Sequence, residues 1–229
     1  MKGLIYSQYY STQKALWIYL GIGLLLGIGF TAVDLEGFQP LISLIILMFS
    51  VSAATDNLKN EAAVGWYKYA ITLPVSRKEI VQAHYAYYFL SAGLGLAIVL
   101  FIFAGRYLLG FGTITESLSA IMLGIGICLL VSLFYPCTYV VGADKSNIIQ
   151  MIITGIIVVT YLVYNTVTLI IGGYMYGSGN DAMQHTGFEL GRMSIFLVFA
   201  LILALFGYFI GLNKFKNQNF KKIKINHNK

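Results

Sequence analysis

Residues able to do acid–base, nucleophilic or metal chemistry are few in this chain and widely separated. Asp181, His185 and Glu189 fall at intervals of four, one face of a helix, and three such side chains could begin a metal site. No fourth ligand accompanies them and the stretch from Gly172 to Arg192 is Gly-rich, so a solvated helix is the expected reading. His84 stands among Tyr85, Tyr87 and Tyr88, where an imidazole could act as a pH-sensitive gate; an interfacial belt of aromatic residues accounts for the same cluster and is what we expect. Cys128 and Cys137 share one apolar stretch but fall on opposite helix faces, about 13 Å apart along the axis, which leaves two unpaired, buried thiols. The chain holds no G-x-x-x-x-G-K-[ST] phosphate loop and no paired carboxylates within its apolar stretches. An ATPase or an intramembrane enzyme is therefore not what these residues describe: no catalytic, cofactor-binding or metal residue is assigned.

The elements around these residues explain the scarcity. Six apolar stretches, roughly 16–33, 40–55, 84–104, 117–141, 148–174 and 193–212, exclude ionisable side chains almost completely. At about 1.5 Å per residue most reach the ~30 Å of a bilayer's hydrocarbon, whereas the second must stand nearly upright or continue past Thr55. Lipid offers backbone N–H and C=O groups no partner, so the stretches must be helices, and a β-barrel's alternation is missing. The expected fold is an all-α integral membrane protein with six transmembrane helices, forming one membrane domain over residues 1–229 with no folded soluble module. No small-residue cleavage site follows the first stretch, because Asp34-Leu35-Glu36 comes next, so that stretch is expected to be retained.

Charge sets the expected orientation. Of the 15 Lys and Arg residues, Arg106 and Arg192 fall between spans on one side; the others, including the lysines of the 213–229 tail, fall on the opposite side. By the positive-inside rule both termini are cytoplasmic and the protein is a multi-pass component of the cell membrane. A net charge of +6 carried this way favours contact with anionic membrane lipids and gives no footprint for nucleic acid.

Local patterns add detail. Residues 1–15 mix apolar residues with lysines and read as a short interfacial helix leading to Trp17. Gly23-x-x-x-Gly27 is a small-xxx-small pattern that lets another helix approach, and Pro136 should kink the fourth span. After the second span, Leu58, Ala62, Gly65, Trp66 and Tyr69 form one apolar stripe over 56–69, which reads as an amphipathic cytoplasmic helix, with Glu61 on its more polar side. Thr72-Leu73-Pro74 breaks that helix, and Ser76-Arg77-Lys78-Glu79 supplies an S-x-x-E capping box that should start the next helix at Arg77.

The run from Trp66 to Val81, WYKYAITLPVSRKEIV, resembles the signature that follows the second span in small permease subunits of type-2 ABC exporters. Among these the chain looks most similar to the permeases of the phenol-soluble-modulin exporter, which moves amphipathic peptides. The resemblance implies a permease of an ATP-driven exporter. ATP and magnesium would then sit in separate ATP-binding subunits, and a second permease, identical or related, would share the pathway. It also implies that segment 56–79 holds a coupling helix contacting the ATP-binding subunit. Leu58, Glu61, Ala62, Trp66 and Tyr69 are the candidate contacts, with Trp66 foremost.

Two polar ribbons are candidates for the translocation path. Thr154, Tyr161, Asn165 and Thr168 lie within an arc of about 60° on the fifth span, and Ser43 and Ser50 share a face of the second. In the resembled family these spans face the dimer axis. Plain helix packing fits the same residues, because intramembrane Ser and Thr often bond back to their own helix. A non-transporting membrane partner, such as an immunity or sensor subunit, remains the alternative function.

Overall fold

The computed structural model describes residues 2–33, 39–64, 75–142 and 145–217. It is built of helices: α1 (Lys2–Val33), α2 (Gln39–Ala63), α3 (Arg77–Leu108), α4 (Ile114–Val131), α5 (Phe134–Val141), α6 (Ser146–Tyr176), α7 (Gly179–Gln184) and α8 (Thr186–Asn217). Six crossings among the described residues are long and apolar enough to span a membrane, α4 and α5 together making the fourth.

The first crossing has no separate interfacial helix. Leu4, Gln8, Thr12, Leu16, Leu20, Gly23 and Gly27 are all buried, so a single stripe at spacings of three and four runs the length of α1. No proline interrupts it. Gly23 and Gly27 do let α2 approach closely: a methyl group at Gly23 would lie 3.4 Å from the Ile46 backbone, and one at Gly27 would lie 2.8 Å from Ile46 Cδ1 and Ile102 Cδ1.

The second crossing resolves its length problem by continuing past Thr55, and here the expected organisation needs correction. Residues 56–63 do not begin a separate helix; they are the last turns of α2. Nothing between Pro40 and Gly65 breaks a helix, and the buried face of α2 continues through Ala54, Asn57 and Leu58 to Glu61. The remainder of the expected coupling helix, with Trp66 and Tyr69, lies outside the described residues, as does the 218–229 part of the tail.

Helix α3 starts where the capping box places it. Ser76 is extended (φ −74°, ψ 148°), its hydroxyl accepts from Glu79 N–H at 3.2 Å, and Glu79 Oε2 accepts from Ser76 N–H at 2.8 Å. Thr113 and Glu116 repeat the device at the start of α4. The fourth crossing breaks at Ser132–Leu133 rather than at Pro136 itself, because a proline ring clashes with the carbonyl four residues before it. Beyond α6, Gly177 takes φ +90°, a value that suits glycine, and turns the chain into α7. The stretch 172–192 is thus largely helix, with a short α7 packed between α6 and α8.

Helix α2 holds the centre, packed against α1, α3 and α4, while α8 lies along α4 and α5. Lipid is as apolar as leucine, so close packing and hydrogen bonds, not burial from water, must hold such helices together. Gly95 of α3 and Gly124 of α4 are the contact points: a methyl group at Gly95 would come within 2.6 Å of Ser50 Cβ, and one at Gly124 within 2.7 Å of Leu47 Cδ1. Helix α6 stands at the edge, with most of its Ile, Val and Leu side chains facing outward. Cys128 is buried, Cys137 is half-buried, and both are free thiols, as their spacing requires.

Candidate functional site

At the end of the bundle that carries the start of α1, four crossings are joined by a chain of polar groups, buried except for the exposed Ser11 at its α1 end. Asn57 and Glu61, one turn apart on α2, face inward; Asn57 Nδ2 donates to Glu61 Oε1 at 3.0 Å. Ser11 of α1 donates to Asn57 Oδ1 at 2.5 Å. The second oxygen of Glu61 lies 2.9 Å from His84 Nε2 on α3, and His84 Nδ1 lies 2.8 Å from the Tyr139 hydroxyl on α5. An ionised carboxylate only accepts, so Nε2 then carries a proton, and with a neutral ring Nδ1 accepts from Tyr139. Such groups stay in an apolar interior only when each has a partner.

Aromatic packing fixes this arrangement. The His84 ring stacks on Tyr135 at 6.1 Å with 17° between planes, Tyr135 packs against Tyr85 and Tyr88, and the Tyr135 hydroxyl donates to the Ala54 carbonyl at 3.1 Å. His84 is 2 % exposed. The expected interfacial belt is therefore corrected: the tyrosines around it are an internal cluster, since positions 84, 85 and 88 all turn toward α5 or α4. Nearer the helix surface, Tyr19 donates to Asp56 at 3.0 Å, and Lys59 pairs with the other Asp56 oxygen at 2.9 Å.

At the opposite end a second polar group joins α6 to α8. Arg192 grips Glu189 through Nε–Oε2 (2.6 Å) and Nη2–Oε1 (3.1 Å), and its Nη1 donates to Asn165 Oδ1 at 2.7 Å. The Tyr164 hydroxyl donates to the Arg192 carbonyl. Glu189 is thus committed to Arg192, and His185 stacks on Tyr176 at 4.2 Å. Among the described residues no group of three His, Cys, Asp or Glu could hold a metal ion.

The residues singled out in the sequence divide as follows. Leu58 is fully buried and Glu61 faces His84, both inside the chain; Ala62 is in the last turn of α2, its side chain outside the described residues. Ser43 and Ser50 are sealed between helices, Ser43 donating to the Ala120 carbonyl at 2.5 Å and Ser50 to its own Leu47 carbonyl at 2.7 Å. On α6, Thr154, Tyr161, Asn165 and Thr168 are all half-buried along the inner face. Tyr161 packs on Phe196, and Thr168 bonds back to Tyr164 and Asn165. Sequence reasoning missed the roles of His84, Arg192 and Tyr139. The Asn57–Glu61 pairing was legible from its i, i+4 spacing, but its inward direction was not.

A bundle of six apolar crossings, with two polar clusters joining helices inside it, defines a multi-pass integral membrane protein. Its family follows from comparison: the description "ABC-2 family transporter protein" matches residues 3–216, nearly the whole chain, and the chain belongs to that family. No curated protein and no solved structure matches it. The chain is accordingly a membrane-embedded permease subunit of an ABC transporter, a class that works with ATP-binding subunits.

Proposed function

We propose that this permease serves an exporter of amphipathic or hydrophobic cargo, with cytolytic or antimicrobial peptides such as phenol-soluble modulins as the leading class. In this reading both termini are cytoplasmic, the protein sits in the plasma membrane, and a second permease, identical or related, completes the pathway. The ATP-binding subunit engages segment 56–79, with Trp66 and Tyr69 as its anchors. One observation carries the reading: α2 runs unbroken from the centre of the bundle into the Asn57–Glu61 turn, which is bonded to α1, α3 and, through His84, α5. A push on the segment after Ala63 would therefore be delivered to four crossings together.

Leu58 and Glu61 act here as the inner end of the coupling element rather than as direct contacts. The half-buried ribbon of α6 is the proposed path lining, because hydroxyl and aromatic groups without free charge suit a cargo that enters from lipid. The test is reconstitution of Trp66→Ala and Glu61→Gln with the cognate ATP-binding subunit in lipid. Trp66→Ala is expected to weaken subunit binding, since aromatic anchors commonly carry ~2 kcal/mol or more of interface energy. Glu61→Gln is expected to retain binding and lose substrate-stimulated ATP hydrolysis. Wild-type binding and stimulation in both variants would move the contact elsewhere.

A further inference from the structure

A groove of about 770 Å³ lies between the first turns of α1 and the middle of α3. This is within the ~300–1,000 Å³ of ordinary ligand sites. Its floor is firm and chemically spent. Leu16, Tyr87 and Ser91 are buried there, the Tyr87 hydroxyl is paired with Thr12 at 2.5 Å, and Ser91 donates to the Tyr88 carbonyl at 2.9 Å. Its outer wall is Phe89, Leu90 and Leu94, exposed by 46, 57 and 44 % in a crossing made to sit in hydrocarbon. Gly93 leaves the middle open: a methyl group there would meet nothing within 4 Å.

The α3 polar groups of the lining, Tyr87 and Ser91, are already hydrogen-bonded, and the groove's charge lies on the α1 side. Among the described residues, Lys2 is the one charged residue lining the groove, and Tyr6 and Tyr9 follow it on α1. We infer that this groove is a binding site for an anionic phospholipid, one acyl chain lying against Gly93 and the headgroup held at Lys2. The groove lies beside a lipid-facing wall, so a lipid can enter from the bilayer without first crossing water. Charge selects among occupants: an anionic headgroup is attracted to Lys2 by about 1 kcal/mol, whereas a zwitterionic one gains little. The inference is independent of the transported cargo and of the coupling segment.

The experiment takes the full permease, purified with its ATP-binding subunit in detergent, and counts bound lipid by native mass spectrometry. Phosphatidylglycerol and phosphatidylcholine with identical acyl chains are titrated separately. One phosphatidylglycerol per chain should be retained, about fivefold more tightly than phosphatidylcholine, the preference expected of one lysine. Lys2→Gln, an exposed change, should abolish that preference, and Gly93→Trp should abolish retention of both lipids while the complex stays assembled. Equal affinity of the wild type for the two lipids, or a preference unchanged in Lys2→Gln, overturns the site. Disulfide-linked permease pairs formed through Gly93→Cys would make the groove a seam between copies and overturn it equally.

Discussion

Glu61 and His84 meet at 2.9 Å inside the bundle, although they stand on different crossings, 23 residues apart in the chain. The contact closes the connection between α2 and α3, so residues 62–83 begin and end on one clamp. The clamp includes Tyr139, which brings in the short helix after the Ser132–Leu133 break.

Breaking one side of the pair should be costly. Glu61→Ala leaves the His84 Nε2 and Asn57 Nδ2 donors buried without their acceptor, and each buried donor left unsatisfied typically costs ~1–3 kcal/mol. Glu61→Gln keeps one oxygen to accept from Asn57 and turns an NH2 group toward His84, whose other tautomer can accept it at Nε2, so it should lose less than half as much. Unfolding of the detergent-solubilised protein, followed by temperature and by denaturant, measures both. Equal stability of Glu61→Ala and wild type would show that water reaches the site and that the clamp does not hold the crossings.

The glycines of the central helix contacts give a second expectation. Gly95→Ala would drive a methyl group into Ser50, and Gly124→Ala into Leu47 and Ser43, so each should destabilise by about 1–3 kcal/mol. Gly105→Ala and Gly155→Ala, where nothing lies within 4 Å, are the matched controls and should be neutral or slightly stabilising. If all four behave alike, helix propensity rather than close approach decides.

Much of this architecture was legible in the residues, for identifiable reasons. Six crossings follow from the cost of charge in hydrocarbon, and the α3 start follows from Ser76 and Glu79, because both signals are local. The inward turn of Glu61 was not legible. Its neighbours Lys59 and Asn60 are polar, so the helical stripe suggested an exposed face, and only the position of His84 on another crossing decides otherwise. The seryl ribbon of α2 shows the same limit: Ser43 and Ser50 mark a face correctly, but whether it meets a pathway or Gly95 and Gly124 is a question of tertiary contact. Asn165 was recognised as a polar outlier on α6, while its partner Arg192 had been read only as a charge outside the spans.

Orientation can be checked with single cysteines in a background lacking Cys128 and Cys137. Ser146 is unsuitable because it is 5 % exposed, whereas Lys145 beside it and Gln184 of α7 are exposed. An impermeant thiol reagent added to whole cells should label Gln184→Cys and spare Lys145→Cys until the membrane is opened. The reverse pattern would place both termini outside and remove the ATP-binding subunit's access to segment 56–79.

The ribbon of α6 offers the sharpest separation of transport from packing. Asn165 accepts from a guanidinium already committed to Glu189, so Asn165→Leu removes a charge-assisted hydrogen bond between α6 and α8, worth about 1.5–3 kcal/mol. Its expected signature is lower bundle stability, measured by thermal unfolding in detergent. Thr154 lies about three turns away on the same half-buried face, where Thr154→Leu changes polarity with little change in length. That variant should unfold like wild type and export less cargo per assembled complex, with Val163→Leu, at an exposed position on the opposite face, unaffected in both assays. Undiminished export by Thr154→Leu, with the cargo supplied in a lipid vesicle, would assign the whole ribbon to holding α6 against α8.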